Sequence, residues 1–152
     1  TGPWDRAFPT LLISNRIRPA SIVVRRDLYE SIGGFRSELP HAADWEMWAR
    51  VARHGRISFI DEPLALYRRH DQSDTAARVD SGANIRERIR AIELITEGLE
   101  KGHRWAQVKS LGYSATFACR QSVMLVARGR FSEALGQLKG AGATLAAAVR
   151  SL

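Results

Sequence analysis

Asp44 stands directly before a helix-forming run that is rich in tryptophan, in the string HAADWEMWARVARHG. A hydroxyl group is a weak nucleophile, so transfer of another group to it needs a base within hydrogen-bonding reach. A carboxylate fixed at the start of a helix, beside a loop that can admit the hydroxyl, could be that base. Aspartate at a helix N-terminus is also a common cap that the helix dipole favours, so capping is the alternative role, and the two roles are compatible.

Two glycines and two tryptophans lie close to Asp44 in the sequence. Gly33 and Gly34 fit a helix C-cap followed by a turn, or a backbone path that a sugar donor or acceptor approaches closely. Trp45 and Trp48 could stack on a sugar ring, although their helical spacing also predicts that at least one belongs to the core. Both interpretations stay open for each pair.

A basic segment follows, ending in histidine. Arg68 and Arg69 could neutralise a diphosphate, and only one of them would face it, because alternate strand residues point to opposite sides. His70 is a candidate metal ligand or diphosphate contact, and the alternative is a solvated loop histidine.

The first half of the chain is predicted to contain both helices and strands. The predicted elements are, in order, a helix within Asp5 to Asn15, a buried strand over Ser21 to Val24, a helix over Leu28 to Ile32 capped by Asp27, a helix from Asp44 to Gly55, and strands over Ile57 to Ile60 and Leu64 to Arg68. Residues 70–80 are polar and predict a mobile loop or linker.

The second half reads as three helices separated by Gly102 and Gly129. On the last two helices the predicted apolar positions are Trp105, Val108, Leu111, Ala115, Cys119 and Val123, then Ala134, Leu135, Leu138, Leu145 and Val149. The chain is therefore predicted to be an α/β fragment that is mostly α, ending in a helical bundle or hairpin.

The basic charge is concentrated in the second half. The chain has a formal net charge of +7, and residues 81–152 hold 11 Lys and Arg against 5 Asp and Glu. Because no zinc spacing or recognised nucleic-acid module accompanies this charge, we expect no nucleic-acid partner. A noncatalytic helical module that binds a protein partner or an anionic membrane surface is the alternative function, and a solvated basic face is the simplest interpretation.

The chain resembles family 2 glycosyltransferases of the GT-A fold in five strings that follow the family's order: Gly33-Gly34-Phe35, Asp44-Trp45, Trp48-Ala49-Arg50, Pro63-Leu64 and Tyr67-Arg68-Arg69-His70. In that family a strand–helix unit ends in Gly-Gly-Phe. An acidic pair and Trp then open a helix with Trp-x-Arg, and a Pro-Leu turn leads to Tyr-Arg-x-His. The resemblance spans residues 14–75.

The resemblance implies inverting transfer of a sugar from a nucleoside-diphosphate sugar to a glycan or lipid-linked acceptor. Asp44 would be the catalytic base, and His70 would help to hold Mg or Mn, the cofactor of the full-length enzyme. The implied donor and acceptor contacts are Gly33, Gly34, Trp45, Trp48, Arg68 and Arg69. Residues 1–76 would be a partial acceptor-side GT-A subdomain with a few short strands, and residues 77–152 a helical extension. We expect a cytoplasmic protein, with peripheral contact to the inner face of the membrane left open.

The chain departs from the family in three ways. Ala43 replaces the first acidic residue of the pair, and Gln-x-x-Arg-Trp, the mark of processive synthases, does not occur. The nucleotide-binding half with its Asp-x-Asp motif has no counterpart, since Asp44-Trp45-Glu46 lies at a helix start. We therefore expect the C-terminal part of a longer enzyme, inactive and without bound cation on its own. We also expect it to self-associate through the uncovered strand at Ser21 to Val24 and the Trp45/Trp48 helix.

Overall fold

The computed structural model describes residues 1–67, 83–99 and 104–151. The elements are, in chain order, β1 (Gly2–Pro3), α1 (Ala7–Leu11), a 3-10 helix (Pro19–Ser21), α2 (Arg26–Ile32), α3 (Ala43–His54), β2 (Ser58–Phe59), α4 (Ala83–Thr96), α5 (Arg104–Val126) and α6 (Phe131–Arg150). Helices dominate, which confirms the prediction of a mostly α-helical chain. The predicted loop at 70–80 and the predicted boundary after residue 76 lie outside the described residues.

The strands of the described part are short. β1 pairs with β2 in antiparallel register, with Gly2 opposite Phe59 and Pro3 opposite Ser58, so the strand predicted near Ile57 to Ile60 exists but spans two residues. The predicted strand over Ser21 to Val24 is wrong. A 3-10 helix that begins at Pro19 occupies its start, and Val23 is 98% exposed. A β-branched run becomes a strand only where a neighbouring strand pairs with its backbone, and none does here.

The predicted strand over Leu64 to Arg68 is also not seen in its described part. Residues 64–67 have no strand structure, and Leu66 is 97% exposed. Arg68 lies outside the described residues.

Two short helices precede the glycine pair. α1 covers only part of the predicted Asp5 to Asn15 helix. α2 begins at Arg26, one residue before the predicted cap Asp27, and ends at Ile32, directly before Gly33, whose φ of 83° is left-handed. The Asp27 carboxylate lies within the first turn, where it accepts a hydrogen bond from the Leu28 N–H. The C-terminal end of this helix is therefore as predicted, because a left-handed φ favours glycine.

α3 lies at the centre of the molecule. Trp45, Glu46, Met47, Trp48, Ala49 and Val51 of this helix are all buried. All of these except Glu46 share one apolar core with residues from both halves of the chain, among them Leu11, Leu12, Leu39, Ala91, Ile92, Ile95, Ala106, Leu111 and Ala147. Both premises of the predicted self-association fail, since the strand is absent and the tryptophan helix is covered. Self-association itself stays a prediction.

α5 and α6 form an antiparallel hairpin whose inner face is made of small and polar side chains. On α6 the buried residues are Ala134, Gln137, Gly140, Ala141, Thr144 and Ala147. A Cβ added to Gly140 would lie 2.9 Å from the Ile85 Cβ, so α4 and α6 approach closely. Most of the predicted apolar stripe of α6 therefore faces outward, and Cys119, predicted to be buried, is exposed.

Candidate active site

Asp44 is the second residue of α3, and both oxygens of its half-buried carboxylate accept hydrogen bonds. The Trp45 backbone N–H donates to Oδ1 at 2.7 Å, and the Asn15 side-chain amide donates to Oδ2 at 2.9 Å. The residue before α3, Ala42, makes no side-chain cap, so Asp44 stabilises the start of the helix from inside its first turn. Its side chain is thus oriented by two donors from different parts of the chain.

Burial raises the pKa of the Asp44 carboxyl above its usual range. The hydrogen bonds from Trp45 and Asn15 oppose this rise, as do the charges of His41 and Arg18. A half-buried carboxylate with a raised pKa accepts a proton more readily than one in water, which is the property that a general base requires.

Asn15 fixes the position of Asp44 and was not predicted as a site residue. Its Oδ1 accepts a hydrogen bond of 3.1 Å from the Ile17 N–H, which directs its amide group toward Asp44. Twenty-nine residues separate the two side chains in the sequence. No local pattern could have paired them, because the contact depends on how the segment after α1 passes the start of α3.

Arg18 connects Asp44 to the basic segment. Its charge acts on Asp44, and its guanidinium carbon lies 5.3 Å from the centre of the Tyr67 ring. Tyr67 is the first residue of the Tyr67-Arg68-Arg69-His70 string. The structure therefore brings the beginning of that string to the arginine beside Asp44.

Gly33 and Gly34 are held by Arg50 of α3. Arg50 Nη1 donates to the carbonyls of Ile32 and Gly33, the latter at 3.1 Å, and Nη2 donates to the Gly34 carbonyl at 2.8 Å. The same guanidinium binds both carboxylate oxygens of Glu46, at 2.9 and 2.8 Å. Two of the strings quoted above, Gly-Gly-Phe and Trp-x-Arg, are thus joined by one side chain. Whether the glycine backbone contacts a donor or acceptor stays a prediction.

Glu46 is engaged by arginines on two sides. Its side chain is 3% exposed, and Oε1 also lies 3.2 Å from Arg36 Nε in a second ion pair. A buried carboxylate paired with two guanidinium groups is neutralised and held in place. Asp44 and Glu46 therefore belong to separate networks, and the expectation that Asp44-Trp45-Glu46 is not a metal motif stays a prediction.

Trp45 and Trp48 belong to the core, with exposures of 1% and 2%. The Trp45 indole N–H donates to the Leu11 carbonyl at 2.7 Å, and the Arg88 guanidinium lies over its ring at 4.8 Å. Trp48 receives Phe35 edge-on, with ring centres 5.7 Å apart. Neither indole presents a face on which a sugar could stack in this conformation, so the core role that their spacing also allowed is the one observed.

Arg68, Arg69 and His70 lie outside the described residues, and their predicted contacts stay predictions. Within ranges 1–67, 83–99 and 104–151, no group of three or more His, Cys, Asp or Glu side chains could hold a metal ion. The described carboxylates near α3 are already bound by Asn15, Arg36 and Arg50. They do not fit a divalent cation.

No protein-family model, curated protein or solved structure matches this chain. The resemblance to family 2 glycosyltransferases therefore rests on the five strings of the sequence alone.

Proposed function

We propose that this chain carries the acceptor side of an inverting glycosyltransferase, with Asp44 as the general base. Residues 1–67 would belong to the acceptor-side subdomain of a GT-A fold, and α4 to α6 would form its helical extension. The nucleoside-diphosphate sugar would be held mainly by a nucleotide-binding half for which the 152 residues contain no motif.

The proposed step is a single displacement. Asp44 Oδ2 or Oδ1 takes the proton of the acceptor hydroxyl as the hydroxyl oxygen attacks the anomeric carbon of the sugar. The new carbon–oxygen bond forms while the bond to the diphosphate breaks, so the electron pair leaves with the nucleoside diphosphate. Attack from the face opposite the leaving group inverts the anomeric carbon.

The observation that carries the proposal is the environment of the Asp44 carboxylate. It is oriented by Asn15 and the Trp45 N–H, and burial raises its pKa. A cap that served only the helix would need neither a partner 29 residues away nor partial burial. The charges of the exposed Arg18 and the half-buried His41 act on Asp44 and would also attract an anionic donor.

The glycine turn and the basic string complete the proposed site. Arg50 holds the backbone of Gly33 and Gly34 in place, which favours a fixed surface for a bound sugar. One of Arg68 and Arg69, together with His70, would stabilise the departing diphosphate, since a guanidinium group binds phosphate oxygens in pairs.

The test is Asp44→Asn in the full-length enzyme, with transfer measured from a panel of nucleoside-diphosphate sugars. Asparagine keeps the size and a hydrogen-bond acceptor but removes the base, so we expect a loss of about 100-fold or more in kcat. Asp61→Asn, which changes an exposed aspartate, is the matched control and should leave kcat unchanged. Transfer by the Asp44 variant within a few-fold of wild type would remove the assignment.

A further inference from the structure

The α5–α6 hairpin has its small side chains inside. Ser122 Oγ donates to the Ala134 carbonyl across the two helices, and Gln137 donates to the buried Asn84 of α4. Gly140 lies against Ile85 with no room for a Cβ. The close approach that small residues allow stabilises the hairpin without using the large apolar side chains of α6.

Those large side chains form a stripe on the outside of α6. Its members are Phe131, Leu135, Leu138, Leu145 and Val149, exposed by 67%, 53%, 49%, 55% and 70%. Their spacings of four, three, seven and four residues place them on one face of a helix. We call this surface the outer stripe.

Further exposed apolar side chains lie at the end of α5. Val123, Met124 and Val126 are exposed by 70%, 41% and 47%, and the short turn after them leads directly into Phe131. Exposed apolar side chains are thus concentrated on the outer stripe and at the end of α5, and large exposed apolar surface marks an interaction site.

The charge of the hairpin points to the nature of its partner. Residues 104–151 contain seven Lys and Arg and one acidic residue, Glu133, which pairs with Arg130 at 3.3 Å. Lys139 and Arg150 are exposed and directly follow Leu138 and Val149 of the outer stripe. A basic apolar surface complements one that is anionic and apolar, whereas a second copy of this chain would bring the same positive charge against itself.

We propose that the outer stripe docks on an anionic lipid bilayer, with α6 in the plane of the interface. The apolar side chains enter the boundary between headgroups and acyl chains, while Lys139 and Arg150 extend their stems along it to reach the lipid phosphates. No helix among the described residues is long and apolar enough to cross a membrane. This proposal is independent of the glycosyltransferase assignment.

The experiment is co-sedimentation of the whole chain with vesicles of equimolar phosphatidylglycerol and phosphatidylcholine, compared with pure phosphatidylcholine. We expect binding to the anionic vesicles that weakens as salt is added, because screening reduces the attraction. Lys139→Gln and Arg150→Gln should each lower the partition constant about fivefold.

The outer stripe is tested by Leu138→Ser/Leu145→Ser, which should lower the partition constant by at least about tenfold. Leu64→Ser/Leu66→Ser removes two leucines that are exposed by 68% and 97% elsewhere and should leave binding unchanged. Circular dichroism checks that each variant keeps its helices.

Two results would overturn the proposal. One is a folded wild-type chain that stays in solution beside anionic vesicles at low salt. The other is a chain that ignores vesicles but forms a concentration-dependent dimer lost in Leu138→Ser/Leu145→Ser, which would assign the outer stripe to a second copy.

Discussion

Arg50 Nη2 donates a hydrogen bond of 2.8 Å to the carbonyl of Gly34, so a helix residue holds a turn that lies 16 positions earlier in the chain. The same side chain neutralises the buried Glu46. Because one guanidinium satisfies a carboxylate and three backbone carbonyls, its loss affects the start of α3 and the glycine turn together.

Arg50→Ala is expected to lower the free energy of unfolding by about 3 kcal/mol, because Glu46 is left buried with only one of its two ion pairs. Urea denaturation followed by circular dichroism measures the change. Arg56→Ala removes an exposed arginine close by and should change stability by less than about 0.5 kcal/mol. Equal effects of the two substitutions would show that the Arg50 network does not stabilise the fold.

Substitutions at Gly33 and Gly34 distinguish an effect on stability from an effect on ligand contact. Gly33→Ala places a side chain at a φ of 83° and a ψ of 169°, a region essentially limited to glycine, and should cost about 1–3 kcal/mol. Gly34 has no positive φ, and a Cβ there would meet nothing within 4 Å, so Gly34→Ala should leave the unfolding free energy nearly unchanged. If Gly34 lines the donor or acceptor site, Gly34→Ala lowers transfer by the full-length enzyme without a loss of stability. Unchanged transfer would leave the pair with a structural role alone.

The pH dependence of stability reports on Asp44. Its folded pKa lies above the unfolded value, so the folded state binds this proton more tightly. The stabilisation is complete below the unfolded pKa of about 3.9 and is lost as pH rises through the folded pKa. Asp44→Asn lacks this dependence. The unfolding free energy of wild type minus that of Asp44→Asn should therefore fall as pH rises above about 4, and then level off.

Urea denaturation of both proteins across this pH range provides the measurement. A difference that shifts toward wild type as pH rises would mean that the carboxylate has a lowered pKa in the fold, and burial would then not dominate its environment.

Asn15 is a positioning residue in the proposed mechanism. Asn15→Ala removes a hydrogen bond that lowers the Asp44 pKa, so the acidic limb of the kcat/KM profile of the full-length enzyme should move to higher pH. Loss of orientation should also reduce kcat by roughly 10- to 100-fold.

Asn15→Asp sharpens the same test, because a second carboxylate next to Asp44 should move the acidic limb further in the same direction. A purely structural Asn15 would lower the melting temperature in both variants and leave the position of the limb unchanged.

The packing of α6 against α4 depends on Gly140. Gly140→Ala would place a Cβ 2.9 Å from Ile85, and we expect a loss of about 1–3 kcal/mol. Gly136→Ala and Gly142→Ala are matched controls on the same helix, with nothing within 4 Å, and should stabilise it by about 0.5–1 kcal/mol. Thermal unfolding of the three variants measures the expected loss of stability and the expected gains. A stabilising Gly140→Ala would mean that α4 and α6 are further apart.

The helices of this protein could be predicted from its sequence better than its strands. α3, α5 and α6 begin or end within a few residues of the predicted positions, because helical spacing and glycine stops are local signals. The run Ser21 to Val24 has the composition of a strand, but a strand requires a partner, and partners are distant in sequence. Contacts between residues that are distant in the sequence also place Asn15 beside Asp44 and bury both tryptophans. Local sequence patterns therefore could not predict either result.

The exposed leucines of α6 show a second limit of prediction from the sequence. Apolar spacing predicts which residues share a face of a helix, but it does not predict whether that face is buried. In α6 the face with small side chains is buried, because Gly140 and its neighbours allow α4 and α5 to approach α6 closely. The face with large side chains is exposed.

The two faces of α6 can therefore change independently. Folding depends on the glycine, alanine, serine and threonine contacts of the inner side, while the leucines of the outer stripe could be exchanged at little cost to the fold. A lineage of such hairpins could vary what its surface recognises, and how tightly, while conserving the arrangement of its helices.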